Sequence, residues 1–461
     1  MSVQSEIDRI STAKANLKTA IENGGVSVSA SAHLDTYPSL VDAITEQINE
    51  TLDAINGETV SGSTSGKLAK LSETKGRIFS AIAGTGIDIP AGIPFAEYES
   101  YIRKLTYTPP PKIYGVEWDW TSSGPTRGVR TDDAVGLADP NPAVSNGTGS
   151  SPFDNLYPWS EMTVEERTGG TMVKEPKFWF KWTRTQSGSG VKLKLQIADR
   201  PVEGFHVDPV NMDRGDGLGE LDFSYIGRYH CASGTYKSET NKAQQTNITR
   251  STARSNIHNL GTNIWQMDFA QMWYVGMLFL VEFADWNGQT AIGYGCSQSS
   301  SNQNNGRTDS MQYHTGTTAA NRTTYGFTQY RNIEGWWDNV FDWMDGCYYT
   351  SSGLNVILNP AKFSDNANGT LIGSMPSSGY PSDLAIPTQS GFEWALRPAA
   401  TSGSQTTYVP DDWNFNGSSP CLLHGGSYNQ YLGYGPFYVN RYGTSHQSAS
   451  VGCRLQERPP M

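Results

Sequence analysis

Three acids stand close together in a segment thick with tryptophan: Asp338, Asp342 and Asp345, within the stretch Gly335 to Gly346. Carboxylates gathered in this way could hydrolyse a glycoside, or could bind calcium through their oxygens. The competing reading is that aspartates at turn positions cap backbone groups. Glu393 is the remaining acid on which a glycan-cleaving site would draw. His446 stands without a second histidine or a carboxylate at ligand spacing, and reads as structural. The five cysteines, Cys231, Cys296, Cys347, Cys421 and Cys453, are odd in number and contain no Cys-x-x-Cys pair. They read as small apolar side chains rather than as metal ligands or a disulfide framework. There is no Ser-His-Asp order, phosphate loop or nucleotide fingerprint. The sequence therefore predicts no catalytic residue, no metal and no cofactor.

A second group of residues suggests binding. Between Tyr428 and Ser450 the chain reads YNQYLGYGPFYVNRYGTSHQSAS. Tyrosine offers a large contact area with few torsions to freeze, while Ser, Gly and Asn adapt to a partner. Aromatic faces also stack on sugar rings, and amide side chains both donate and accept hydrogen bonds. About half of these aromatics belong to the core on the alternative reading, Phe437 and Tyr438 first among them.

Composition narrows the classes. The chain has 461 residues, only 17% of them charged, with 13 Trp and 23 Tyr. That suits many short strands and long ordered loops rather than a helical bundle. The net charge is -11 and no Lys/Arg run occurs, which excludes a nucleic-acid partner. The most apolar stretch, Val275 to Ala284, is broken by Glu282 and is predicted to be a buried strand, so no membrane insertion is expected. The start MSVQSEIDRI lacks the pattern of a signal peptide, so the chain is expected to fold in a cytoplasm.

The elements that must position the binding residues are of two kinds. Residues 1–106 contain no Trp and repeat: Ile21 to Val28 matches Ile82 to Ile89 at an offset of 61 positions. This predicts a duplicated helix, Gly stop, short extended piece and helix. Val3, Ile10 and Leu17, with Ile7, Lys14 and Ile21, form an a/d stripe, which predicts either helices packed on each other in a monomeric domain or, as the favoured reading, pairing between copies of the chain. A further helix is predicted over 40–55, and a flexible connector over 57–66. The run TYTPPP over 106–111 marks a spacer, giving a boundary at 107–112. Residues 113–461 divide into an upstream part, 113–205, and a core, 206–461. Alternation predicts strands over 114–120, 178–182, 191–197 and 451–455. Helices are predicted over 251–260 and 264–275. Polar loops run over 298–324 and 364–389; loops of that length are functional or disordered.

The Gly335 to Gly346 segment resembles the GN-x-W-EW-x-DG signature of the formylglycine-generating and C-type-lectin-like superfamily. Gly391-Phe392-Glu393-Trp394 through Arg397-Pro398 is similar to the strand before the variable region of phage tail lectin domains. His424-Gly425-Gly426-Ser427-Tyr428 and Val451-Gly452-Cys453-Arg454-Leu455 resemble the two framework pieces that bracket that region. Ser151-Pro152-Phe153-Asp154 through Trp159, and Ala198 through Val207, resemble the upstream part of the same module, and the N-terminal repeat is similar to a tail-attachment region. The resemblance implies an α+β chain: a short N-terminal helical region, then a C-type-lectin-like domain of short strands, two helices and long ordered loops. It further implies a phage tail receptor-binding protein of the virion, trimeric, joined to other tail proteins through its N-terminus and recognising a glycan or protein on the host surface. By position it implies a ligand surface of Tyr428, Asn429, Tyr431, Tyr434, Phe437, Tyr438, Asn440, Tyr442, Ser445 and His446, flanked by Trp413. The calcium motifs of animal lectins, EPN, QPD and WND, are absent from the sequence.

Overall fold

The computed structural model describes residues 3–23, 29, 64–84, 88–94, 97–102, 110–188, 190–296, 299–415, 417, 419–430 and 432–460. The chain divides into two compact units, Met1–Pro110 and Pro111–Met461.

In the first unit two 21-residue helices, Val3–Asn23 and Thr64–Gly84, precede a short helix Tyr98–Ile102. Ile82, Ile89, Ile93 and Tyr98 bury one another in a small cluster. No coiled coil forms among the described residues. Ile7 and Ile10, on the predicted stripe, remain 52% and 44% exposed, because a lone amphipathic helix cannot cover its own apolar face. The helix predicted over 40–55 lies outside the described residues. The connector predicted over 57–66 is shorter than expected, since Thr64-Ser65-Gly66 already belongs to the second helix.

The second unit is mixed α+β: mostly strands, in several small sheets, with few helices. One five-stranded antiparallel sheet has the order Val129–Asp132, Ile113–Asp119, Gly190–Ala198, Trp179–Ser187, His206–Val207. Period-2 alternation drives it: Val191, Leu193, Leu195 and Ile197 are all buried on one face. A second sheet has the order Ile264–Gln266, Leu455–Glu457, Phe223–Gly227, Gly170–Pro176, Val164–Arg167.

The helix Phe269–Phe283 runs through the core, with all 15 of its residues buried. This corrects the strand expected at 275–284. A helix that is apolar all round shows no 3.6-residue stripe, so periodicity cannot tell it from a buried strand. The cap settles the choice: the Asp268 carboxylate accepts from Gln271 N, and Ala284 takes the left-handed conformation that ends the helix. Glu282 can sit in this core because Arg331 binds its carboxylate at 3.0 and 2.5 Å and the Tyr330 hydroxyl donates to it at 3.0 Å. The helix expected over 264–275 is displaced accordingly, since Ile264–Gln266 is a strand. The helix expected over 251–260 is found at Arg250–His258.

The sheet that carries the candidate site has the order Val439–Tyr442, Cys421–His424, Phe341–Met344, Val451–Gly452. Val451–Gly452 runs parallel to Phe341–Asp342. The single last strand expected over 451–455 is therefore two, because the chain leaves this sheet at Cys453-Arg454 and joins the second sheet at Leu455. The polar stretches 298–324 and 364–389 carry short strands of their own, at Gly316–Thr317, Thr370–Gly373 and Asp383–Ala385. All five cysteines are free and buried. Among the described residues, no helix is long and apolar enough to cross a membrane.

Candidate functional site

The site rests on a buried charged network. Arg454 is fully buried. Its Nε donates to Asp342 Oδ2 at 3.1 Å, and its two Nη groups donate to the carbonyls of Gly227, Arg228, Glu334 and Gly335. The other oxygen of Asp342 meets His230 Nδ1 at 2.9 Å. The neighbouring His230 and Arg454 charges hold the Asp342 carboxyl below its ordinary range, despite burial that acts the other way. One guanidinium thus ties strand Phe223–Gly227, the tryptophan-rich segment and the C-terminal strands together. Asp345 plays a similar part, bound by Arg254 through two bonds of 2.5 and 2.8 Å. Asp338 accepts from Thr328 N and Oγ1, both at 2.8 Å. The three acids are buried and committed to structure. Asp342 is paired with Arg454 and Asp345 with Arg254, whereas Asp338 Oδ1 has no hydrogen-bond partner among the described residues. Glu393 accepts from its own neighbour Gly391 N at 2.9 Å.

Above this base, the chain from His424 to Tyr442 folds back on itself. Gly425 has φ +77°, where a Cβ would meet Trp336 O at 2.8 Å; at Gly426 it would lie 2.4 Å from Trp337 O. Only glycine lets the backbone cross the tryptophan segment so closely. His424 Nε2 donates to Pro436 O at 2.7 Å. Burial pushes its imidazole down to about 4, so the ring is neutral at pH 7 and Nε2 carries the proton that bonds this carbonyl. Asp411 closes the loop from the other side. Its Oδ1 accepts from Gly435 N and its Oδ2 from Phe437 N, both at 2.8 Å. Burial lifts this carboxyl to about 7. Gly433 N donates to Gln289 Oε1 at 3.0 Å, and Gln405 Nε2 donates to Leu432 O at 2.9 Å.

The residues expected to bind separate into two sets. Tyr428, Tyr434, Asn440, Tyr442 and His446 are half-buried, and Asn429 and Ser445 are exposed. Tyr431 lies outside the described residues. The Tyr442 and His446 rings stack at 3.8 Å with 12° between planes, and burial holds the His446 imidazole below its usual value. Asn429 Oδ1 accepts from Ser427 Oγ at 2.8 Å. Trp413, Phe437 and Tyr438 are at most 2% exposed and are corrected to core residues. Phe437 packs on Trp286 at 4.8 Å, Trp413 on Phe415 at 5.8 Å, and Tyr438 on Phe341 at 5.7 Å. Each fills space beneath the loop, where aromatic area removed from water outweighs any use at the surface. Tyr434 bridges the sets, its ring 4.4 Å from that of Tyr438 while part of it stays open.

Several residues of the site were not legible beforehand. Asp411, Gln289 and Gln405 support the loop, and Tyr380 and Asp412 border it: Asp412 N donates to Gly433 O, and a Cβ at Gly433 would lie 2.9 Å from the Tyr380 hydroxyl. Only the proximity of Asp411 to Trp413 in sequence hinted at any of them. The 298–324 loop also reaches the site, where Ser299 N donates to Tyr428 O at 2.7 Å. Among the described residues, no three His, Cys, Asp or Glu side chains gather as a metal site would require.

The sequence matches no protein-family model and no curated protein. Among solved structures, PvdO from Pseudomonas aeruginosa aligns with a TM-score of 0.28 and 8% identity, over 65% of this chain and 99% of that one. A likeness at that level carries no argument about fold or function.

Proposed function

We propose that the chain is a receptor-binding protein of a bacteriophage tail, an adhesin whose C-terminal unit is C-type-lectin-like and recognises a glycan or protein on the host bacterium. One observation carries the reading. Half-exposed and exposed Tyr, Asn, Ser and His side chains crowd one loop surface, 428–446, while the backbone beneath them is fixed by Asp411, His424 and the Gly425-Gly426 crossing. A preorganised aromatic surface binds without the cost of ordering a loop. Two of the acids that a glycan depolymerase would use, Asp342 and Asp345, are buried and paired with arginines, which favours binding over turnover at that segment. In this reading the N-terminal unit docks to other tail proteins and joins three chains, its exposed Ile7 and Ile10 meeting their counterparts. Three weak sites then act together in the virion.

The test is adsorption of the purified chain to intact candidate host cells, with a Tyr428→Ala, Tyr434→Ala, Tyr442→Ala variant alongside. Wild type should bind, and the variant should bind at least about 30-fold more weakly, as loss of 2 kcal/mol of aromatic contact requires. Equal binding by both would move the site elsewhere. Absence of binding to every host, with the chain still assembling into tails, would make it a structural component. Release of reducing ends from host polysaccharide would make it a depolymerase.

A further inference from the structure

A cavity of about 340 Å³ opens between residues 154–164 and the hairpin Thr328–Tyr330/Ile333–Glu334. Its size falls within the range of small-ligand sites, about 300–1,000 Å³. The hairpin turns through two residues only, Arg331 and Asn332, because Tyr330 pairs directly with Ile333. Both have positive φ, +46° and +70°. A two-residue turn of this kind favours Asn-Gly or Asp-Gly, and an arginine at its first position is sterically unfavourable. The turn therefore holds these residues for their side chains, and both line the cavity.

The floor carries charge, but none of it is a free cation. Arg331 is spent on two carboxylates, Glu282 within the core and Asp154 at 2.9 Å. His314 Nε2 meets the same Asp154 oxygen at 3.0 Å, while the Tyr313 hydroxyl donates to the second oxygen at 2.9 Å and Ser151 N donates to it at 3.0 Å, so both oxygens of this carboxylate are already engaged. Burial and the Arg331 charge hold the His314 imidazole below its usual value, so it is neutral at pH 7. Two carboxylates against one guanidinium leave a surplus negative charge, which disfavours an anionic ligand. Asp154 keeps a quarter of its side chain open, 26%. Around it stand Asn332, with one amide N–H given to Met162 O at 3.1 Å, and the exposed Ser160 and Thr163. Met162 and Val164 make an apolar wall, and Val164 is 42% exposed.

An amide that both donates and accepts, and hydroxyls beside an apolar wall, match a molecule with hydroxyls on its rim and C–H groups on its face. We propose that this cavity is a saccharide subsite, taking one neutral sugar ring whose hydroxyls exchange hydrogen bonds with Asn332, Ser160 and Thr163, while its C–H face lies on Met162 and Val164. The subsite is independent of the 428–446 surface and does not rest on the tail-adhesin reading.

Saturation-transfer NMR on the intact chain tests it, with glucose, galactose, mannose, rhamnose, N-acetylglucosamine and glucosamine each at millimolar concentration. Transfer to the ring protons of at least one neutral sugar is expected, insensitive to salt. It should fall at least tenfold in Val164→Trp, which fills the cavity from an exposed position. Ser160→Trp, filling it from the other side, should do the same and guards against a folding defect in the first variant. Transfer should persist in the Tyr428→Ala, Tyr434→Ala, Tyr442→Ala variant, whatever that variant does to cell binding. No transfer from any sugar overturns the proposal, as does transfer undiminished in both filled variants. Transfer from glucosamine alone, abolished by salt, would mark an ammonium site and overturn it equally.

Discussion

Replacing Arg454 by Met tests whether the buried charged network holds the framework together. The guanidinium makes five hydrogen bonds, one to Asp342 and four to backbone carbonyls of two distant segments. Methionine fills much of the same space but donates nothing. Asp342, fully buried, keeps only His230 as a partner. Breaking one side of a buried ion pair costs about 3–5 kcal/mol, and a whole domain is stable by only about 5–15 kcal/mol. With a urea slope of about 3 kcal/mol/M, the midpoint should fall by roughly 1–2 M. Tryptophan emission is a clean readout, because all 13 tryptophans lie at Trp118 or beyond, in the second unit. The double variant Asp342→Leu, Arg454→Met leaves no lone carboxylate, so its loss should be smaller than the sum of the single changes by about 1.5 kcal/mol or more, roughly one tenfold factor. A midpoint within roughly 0.3 M of wild type for the single variant would refute the reasoning, for the guanidinium would then be doing nothing that water could not.

Three further outcomes follow from the same geometry. Phe437→Ala should destabilise the second unit by about 3–5 kcal/mol in urea unfolding, since its ring is 1% exposed among Trp286, Trp273 and Phe279; a loss below about 1 kcal/mol would return this residue to the surface set. Gly426→Ala forces a Cβ to 2.4 Å from Trp337 O and 2.7 Å from Tyr434 O, so soluble yield and thermal midpoint should both drop, whereas Gly443→Ala, with open space around it, should leave both unchanged. Asp411, lifted by burial to about 7, binds its proton more tightly folded than unfolded. Its contribution is fully present below the unfolded value near ~4 and is lost as pH rises through about 7. The stability difference between wild type and Asp411→Asn, measured by urea midpoint, should therefore shrink from pH 4 to pH 8; a difference that grows would mean the carboxyl is ionised throughout.

Strands with clean alternation were legible. Val191 to Ile197 occupies the middle of its sheet, and Tyr114 to Trp120 pairs beside it. What failed were segments buried on every side. Phe269–Phe283 carries no amphipathic signal, and its cap at Asp268 is a single residue that sequence alone does not distinguish from a turn aspartate. The aspartates of the tryptophan-rich segment were ambiguous for a different reason. Their partners Arg254, Thr328, His230 and Arg454 lie from 10 to 112 positions away, a separation no local pattern reports. Within the aromatic loop, residue type gave the region, but the split between Tyr434 and Tyr442 outside and Phe437 and Tyr438 inside depends on the sharp crossing at Gly425-Gly426.

The strand Leu455–Glu457 lies between Ile264–Gln266 and Phe223–Gly227 in the finished sheet. During synthesis those two neighbours emerge from the ribosome 230 and 191 residues earlier, since Gln456 pairs with Ile226 on one side and Trp265 on the other. Until the strand arrives, two edges wait open with their amides unpaired, and Arg454 has not reached Asp342. Such edges recruit other strands, so nascent chains of this protein should depend on chaperones for their last moments of elongation. A chain cut short before residue 454 would have its aromatic loop complete in sequence, yet would lack the guanidinium that ties the framework beneath it together.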